Sequence, residues 1–232
     1  MSFSNHRWQS INSISSIAKL LEFLGSKKVP HELLVEVSDA IKNISMSVKL
    51  TPYILSRIDY GNFVNDPIRK QFIPMKFEQI ADHPMLKYDS LNEAGFSPVK
   101  GLVHRYPSKA LFLALSTCPV YCKFCTRSYA IGQDTENLAK DKLGISKKRY
   151  DEMFAYIQKH EELNDIVISG GDVSVLEAEL IYKIGKTLLD MPNIKRLRFA
   201  TKILSVAPMK ACICLILLII LFFINFPSKF GK

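Results

Sequence analysis

The chain has 232 residues, 48% hydrophobic and 23% charged, a balance that excludes a disordered or collagen-like polypeptide and suits one sizeable domain with an extension. The net charge is +9, but Lys and Arg come in twos and threes, without a long basic run or a stripe interleaved with aromatics, so nucleic acid is not the expected partner. Five cysteines, three of them within eight residues, do not read as a secreted disulfide framework, and MSFSNHRWQS has no apolar signal core; both point to a reducing compartment, the cytoplasm.

Ile11, Ile14, Ile17, Leu21 and Leu24 recur at three- and four-residue spacings and predict an amphipathic helix over 11–24, stopped by Gly25. Leu33, Leu34, Val37, Ile41, Ile44 and Val48 predict a second over 30–48. Thr51-Pro52 reads as an N-cap with proline in the first turn, opening a short helix through Ile58. Residues 1–60 are therefore expected to form a helical N-terminal extension. Residues 61–109, with Asp66-Pro67, Ile73-Pro74, His83-Pro84 and Ser97-Pro98, read as a long irregular connector.

From Ala110 the pattern changes. Ala110–Thr117 (ALFLALST) is a continuous apolar run, as for a strand covered on both faces. Tyr150, Met153, Phe154 and Ile157 share a face of a helix over 147–162. A strand over 165–169 (DIVIS) ends at Gly170-Gly171, a helix is expected over 177–190, and a third strand over 196–201. This alternation predicts parallel βα units, an α/β fold over 110–210. Residues 211–224 (ACICLILLIILFFI) then run apolar without any period.

The chemistry is concentrated in Cys118-Pro-Val-Tyr-Cys122-Lys-Phe-Cys125. Structural zinc takes paired C-x2-C motifs, and no second pair stands near this one. Three thiolates from one short loop suit three irons of a [4Fe–4S] cube with the fourth iron open. Pro119 pushes Cys118 out of helical backbone, so the strand ends there and the chain curls. Cysteines also pack as small apolar side chains. The loop, however, follows the C-terminal end of the first strand of a βα series, where such folds place their chemistry.

With these residues in view, the chain resembles the lysine 2,3-aminomutase family of radical S-adenosylmethionine (SAM) enzymes, over roughly residues 50–210. The likeness lies in Thr51–Asp59 (TPYILSRID), Asp66–Pro74 (DPIRKQFIP), Gly101–Pro107 (GLVHRYP), Cys118–Gln133 (CPVYCKFCTRSYAIGQ) and Ser169–Asp172 (SGGD). The resemblance implies a partial radical-SAM (βα) barrel with about three βα units, an isomerase that performs a 1,2-amino shift on an amino acid, and three cofactors: a [4Fe–4S] cluster, SAM and pyridoxal 5′-phosphate (PLP). It implies that Cys118, Cys122 and Cys125 hold the cluster, that Phe124 lies against the adenosine, and that Ser169, Gly170, Gly171 and Asp172 bind the methionyl amino group. It further implies that Arg127 holds the substrate carboxylate and that Arg105, Tyr106 and Lys109 seat PLP. Lys109 stands where the family has an arginine, and Lys123-Phe124 where its lysine enzymes have Arg-His; a glutamate- or arginine-type aminomutase is therefore the alternative substrate reading. A flavodoxin or ferredoxin is the implied electron donor, and a homo-oligomer is compatible with the family.

The family's barrel needs about twice as many βα units, and its PLP-anchoring lysine lies in the part that would follow residue 210. The chain as written is therefore expected to lack aminomutase turnover, and a truncated, non-catalytic fragment is the remaining alternative. Residues 211–232, an apolar C-terminal tail, read as a translated non-coding stretch unrelated to the family, with 211–226 as the candidate membrane segment. A membrane anchor ranks second, because fourteen helical residues span only about 21 Å against a hydrocarbon core of roughly 30 Å.

Overall fold

The computed structural model describes residues 3–210; the apolar tail lies outside them. The chain forms two compact units, one made of the described residues up to Leu91 with Pro119–Asp141, the other of Asn92–Cys118 with the described residues from Lys142.

In the first unit, the helix expected over 11–24 begins only at Ile17, as α2 (Ile17–Ser26), and a separate short helix, α1 (His6–Ile11), precedes it. The reason is a second start signal inside the apolar pattern. Ser16 is extended and its hydroxyl accepts the Lys19 N–H, an N-cap that opens a new helix, while Ile14 pairs its backbone with Leu50. Gly25 does not stop α2, which ends at Ser26, before Lys28 at φ 60°. A third helix, α3 (His31–Lys42), stops short of the expected Val48. It packs on α2, burying Val37, Ala40 and Ile41 beside Leu20 and Leu24. The Thr51-Pro52 signal does start a helix, α4 (Pro52–Leu55), with the Thr51 hydroxyl accepting the Ile54 N–H, although it ends before Ile58. Gln9, 1% exposed, ties α1 to α4: its amide donates to the Phe3 carbonyl and accepts the Tyr53 N–H, each at 2.7 Å. Within the connector, α5 (Arg69–Phe72) carries a fully buried arginine.

The second unit is a mixed α/β layer. Its elements are β1 (Leu102–Tyr106), β2 (Lys109–Leu115), α6 (Lys147–Lys159), β3 (Asp165–Gly170), α7 (Ala178–Leu189), β4 (Arg196–Phe199) and α8 (Ile203–Val206). The sheet order is β1-β2-β3-β4; β2, β3 and β4 are parallel, as the alternating pattern requires, and β1 is antiparallel to β2. Strand β1 lies within the stretch 61–109 expected to be an irregular connector. It is the first arm of a hairpin whose Tyr106 pairs with Lys109 across Pro107-Ser108, and its HRYP end hides the strand pattern because half of it is polar. No closed barrel is formed among the described residues.

One sheet face packs on the helices. Ala110, Phe112, Ile166 and Ile168 meet Tyr150, Met153 and Ile157 of α6 and Ile181, Ile184 and Leu188 of α7, all buried. Full burial of one such aliphatic or aromatic side chain stabilises by about 1.5–3 kcal/mol. Strand alternation turns Lys109, Leu111 and Leu113, with their register partners Asp165, Val167 and Ser169, to the other face, where Val103, Leu111, Leu113 and Leu143 form a small apolar cluster.

Candidate functional site

In the second unit, the C-terminal rim of the sheet brings Cys118 and the Ser169–Asp172 turn onto adjacent strands. The β2–β3 register shifts between Leu113 and Leu115. Past that shift the Gly171 N–H donates to the Leu115 carbonyl at 2.6 Å and the Asp172 N–H to the Thr117 carbonyl at 3.0 Å. The two glycines were expected to let backbone approach a ligand. Here they admit the exit of β2: a Cβ on Gly170, which sits at φ 116°, would overlap the Leu115 carbonyl oxygen, and one on Gly171 would overlap that of Thr117. The segment leading into Cys118 thus lies directly on the glycine turn.

Asp172 is 4% exposed. Oδ1 accepts the Ser174 N–H at 2.9 Å and the Thr201 hydroxyl at 2.6 Å, and Oδ2 accepts the Lys202 N–H at 2.7 Å. An ionised carboxylate offers about four acceptor directions, so three are taken in joining the exits of β3 and β4. Ser169, 5% exposed, is on the sheet face away from the helices.

Beneath the rim is a buried cation that no motif marks. Arg149 of α6 is 7% exposed and meets carbonyls: Nη1 donates to Leu113 at 2.7 Å, Nη2 to Ala114 at 2.5 Å and to Gly144 at 2.8 Å, and Nε to Gly144 at 3.2 Å. The Tyr150 hydroxyl donates to the same Ala114 carbonyl at 2.8 Å. Burial holds the Arg149 pKa below the ordinary guanidinium value and lifts that of Tyr150. A signal existed, since Arg149 is four residues before Met153 and so falls on the apolar face of its helix. Ser116 adds a brace by accepting the Leu143 N–H at 2.7 Å.

In the first unit, the rest of the cysteine loop is held by its backbone. Tyr121 N–H donates to the Lys49 carbonyl, Lys123 N–H to that of Gln71, both at 3.0 Å, and Cys125 N–H closes a turn on the Cys122 carbonyl at 3.2 Å. Lys123 Nζ lies 3.1 Å from Glu78 Oε2. Glu78 in turn takes both terminal nitrogens of Arg69 at 2.8 Å, and these cations hold its pKa down at about 2, the Arg69 hydrogen bond contributing most. Phe124 is 60% exposed, while Arg127 is half-buried, its carbonyl accepting the Ala130 and Ile131 N–H groups at 2.9 Å.

The thiols of Cys118, Cys122 and Cys125 are each partly exposed. Among the described residues, no three His, Cys, Asp or Glu side chains are grouped so as to hold a metal ion. Three soft sulfur donors in one short loop are of the chemical type that iron–sulfur centres take.

Arg105, Tyr106 and Lys109 lie at the other end of β2, in the β1–β2 hairpin. Six strand steps separate Lys109 from Leu115, about 20 Å at roughly 3.3 Å each. Lys109 shares its sheet face with Ser169, and the Arg105 guanidinium sits 4.7 Å from the Phe96 ring centre. Two cations and a phenol in one hairpin are chemically apt for a phosphate.

No family model matches the chain. Among curated proteins, L-lysine 2,3-aminomutase of Clostridium subterminale is 32% identical over 208 residues, 90% of this chain and 47% of its own length. The enzyme of the same name from Bacillus subtilis is 34% identical over 170 residues, 73% of this chain and 34% of its own. Over the length they share, the chain belongs to the lysine 2,3-aminomutase family. Glutamate 2,3-aminomutase of Clostridioides difficile follows at 27% identity over 208 residues. The chain spans about half the length of the curated relatives it matches. Among the described residues, no helix is long and apolar enough to cross a membrane.

Proposed function

We propose that this chain carries the cluster- and SAM-binding part of a partial radical-SAM barrel, in an enzyme that moves an amino group between neighbouring carbons of an amino acid. One observation supports the reading above the rest: the segment from β2 into Cys118 lies directly on the glycine turn of β3, with Gly171 and Asp172 bonded to Leu115 and Thr117. Relatives named lysine and glutamate 2,3-aminomutases supply the reaction class.

Cys118, Cys122 and Cys125 would hold a [4Fe–4S] cluster, and Ser169, Gly170, Gly171 and Asp172 would bind SAM. Arg105, Tyr106 and Lys109 would receive the phosphate of PLP. When bound, these groups supply the one-electron and electron-sink chemistry of the reaction, drawing the electron from a small flavodoxin or ferredoxin. The chain's own residues position and shield. Gly170 and Gly171 bring two strand exits into contact, so the first thiol and the turn are set by the same backbone. Asp172 fixes the turn through Ser174, Thr201 and Lys202, leaving one acceptor direction for an ammonium group. Phe124, exposed beside Cys125, offers a ring to a base. The Arg127 guanidinium is suited to a bidentate carboxylate contact, which every α-amino acid provides and which therefore does not choose between lysine and glutamate.

Anaerobic reconstitution with ferrous iron and sulfide tests the reading. The expected product has the visible absorbance of a [4Fe–4S] centre, its reduced electron paramagnetic resonance spectrum changes on adding SAM, and Cys122→Ala abolishes both. A wild-type chain that takes up zinc in preference to iron and sulfide refutes it.

A further inference from the structure

We infer that Glu78 is a positioning residue for the Cys122–Cys125 thiol pair and acts through Lys123; this rests on the reading that those cysteines are ligands. The two cysteines bracket one turn, closed by the Cys125 N–H on the Cys122 carbonyl at 3.2 Å. The direction in which such a turn aims its thiols depends on the two residues inside it. Of the two, Lys123 is the more buried, its side chain 28% exposed against 60% for Phe124, and it turns inward.

Lys123 is held at both ends. Its N–H donates to the Gln71 carbonyl at 3.0 Å, and its ammonium meets Glu78 at 3.1 Å. Glu78 is a rigid post. Both carboxylate oxygens receive Arg69 at 2.8 Å, and the Arg69 side chain is 0% exposed. The same guanidinium is pinned by the Phe63 carbonyl at 3.0 Å, by that of Ile73 at 3.3 Å and by that of Val64. A bidentate arginine pair fixes the plane of the carboxylate, and the carboxylate then fixes where the lysine, and with it the turn, can sit. Outer-shell groups of this kind orient ligands, and their loss typically weakens metal binding by about 10- to 100-fold.

The experiment uses the full chain with Cys118, Cys212 and Cys214 replaced by Ser, which leaves Cys122 and Cys125 as its cysteines. Phenylarsine oxide, a trivalent arsenical that bridges two neighbouring thiols, is titrated into that chain and into its Glu78→Gln, Lys123→Met and Lys123→Arg forms. Glu78→Gln and Lys123→Met should each weaken binding by roughly tenfold, the double variant by no more than either alone, and Lys123→Arg should recover most of the loss. Lys123→Met leaves the buried Arg69–Glu78 pair in place and so separates positioning from general destabilisation. Unchanged affinity in a folded Lys123→Met chain overturns the inference, as does a double variant whose loss is the product of the two. Iron and sulfide uptake by the unaltered chain is measured alongside. Its failure would remove the ligand reading and this inference together, whereas normal uptake with indifferent variants removes the inference alone.

Discussion

Arg149 should be worth more to the stability of the second unit than any lysine or arginine on its surface. Replacing it with Met keeps most of the aliphatic bulk against Met153 and removes the fork. The Leu113 carbonyl, in β2, then loses the guanidinium at 2.7 Å, and that of Ala114 loses it at 2.5 Å while keeping the Tyr150 hydroxyl at 2.8 Å. Gly144 is exposed, so water replaces the arginine there. Hydrogen bonds from a charged donor contribute about 1.5–3 kcal/mol each. Two are lost to buried acceptors, and part is returned because the cation no longer has to be desolvated. The net destabilisation should be about 2–4 kcal/mol. Urea denaturation followed by far-ultraviolet circular dichroism at pH 7 measures it, with the slope m unchanged. Arg149→Lys should recover little of the loss, since one ammonium cannot reach three carbonyls. A loss for Arg149→Met below about 1 kcal/mol, the range of an ordinary surface substitution, would mean that water satisfies those carbonyls as well as the arginine does.

Glu78 makes stability depend on pH. Its folded pKa of about 2 lies below the ordinary 4.5, so its contribution is complete above the unfolded value and is lost as pH falls from 4.5 towards 2. With allowance for solvent, that contribution is about 2 kcal/mol; Glu78→Gln should lose it at pH 7 and flatten the fall in denaturation midpoint between pH 5 and 3, and an unaltered slope would refute the ion-pair assignment. Gly171→Ala should cost about 1–3 kcal/mol by overpacking against the Thr117 backbone and lower the iron content of the reconstituted protein. Normal loading with normal stability would show that the two strand exits are not in forced contact.

Much of this was written in local sequence. The cores of the ALFLALST and DIVIS runs, Ala110–Leu115 and Ile166–Ile168, are apolar without a break, as suits strands whose Ala110, Phe112, Ile166 and Ile168 pack under Tyr150, Met153, Ile181 and Leu188. Thr51-Pro52 announced a helix start because the cap hydroxyl and the proline ring act within one turn. Local reading failed where two local signals compete, as at Ser16, whose hydroxyl outweighs a continuous Ile and Leu period, or where pairing supplies the order, as in β1, whose half-polar sequence becomes a strand only beside β2.

The candidate site divides in the same way. Sequence alone determined which side chains can do chemistry: three thiols at C-x3-C-x2-C spacing, a ring beside the last of them, and two glycines ending a strand, all properties of covalent order and residue type. Only the tertiary structure decided what those side chains lean on. Gly170 and Gly171 face Leu115 and Thr117, Lys123 reaches Glu78 across forty-five positions of chain, and Arg149 holds carbonyls thirty-five and thirty-six positions away. Such contacts join groups that have no period or spacing in common. They form because a buried carbonyl, carboxylate or guanidinium must find a partner once water is excluded, and which partner is near depends on how the strands and helices pack.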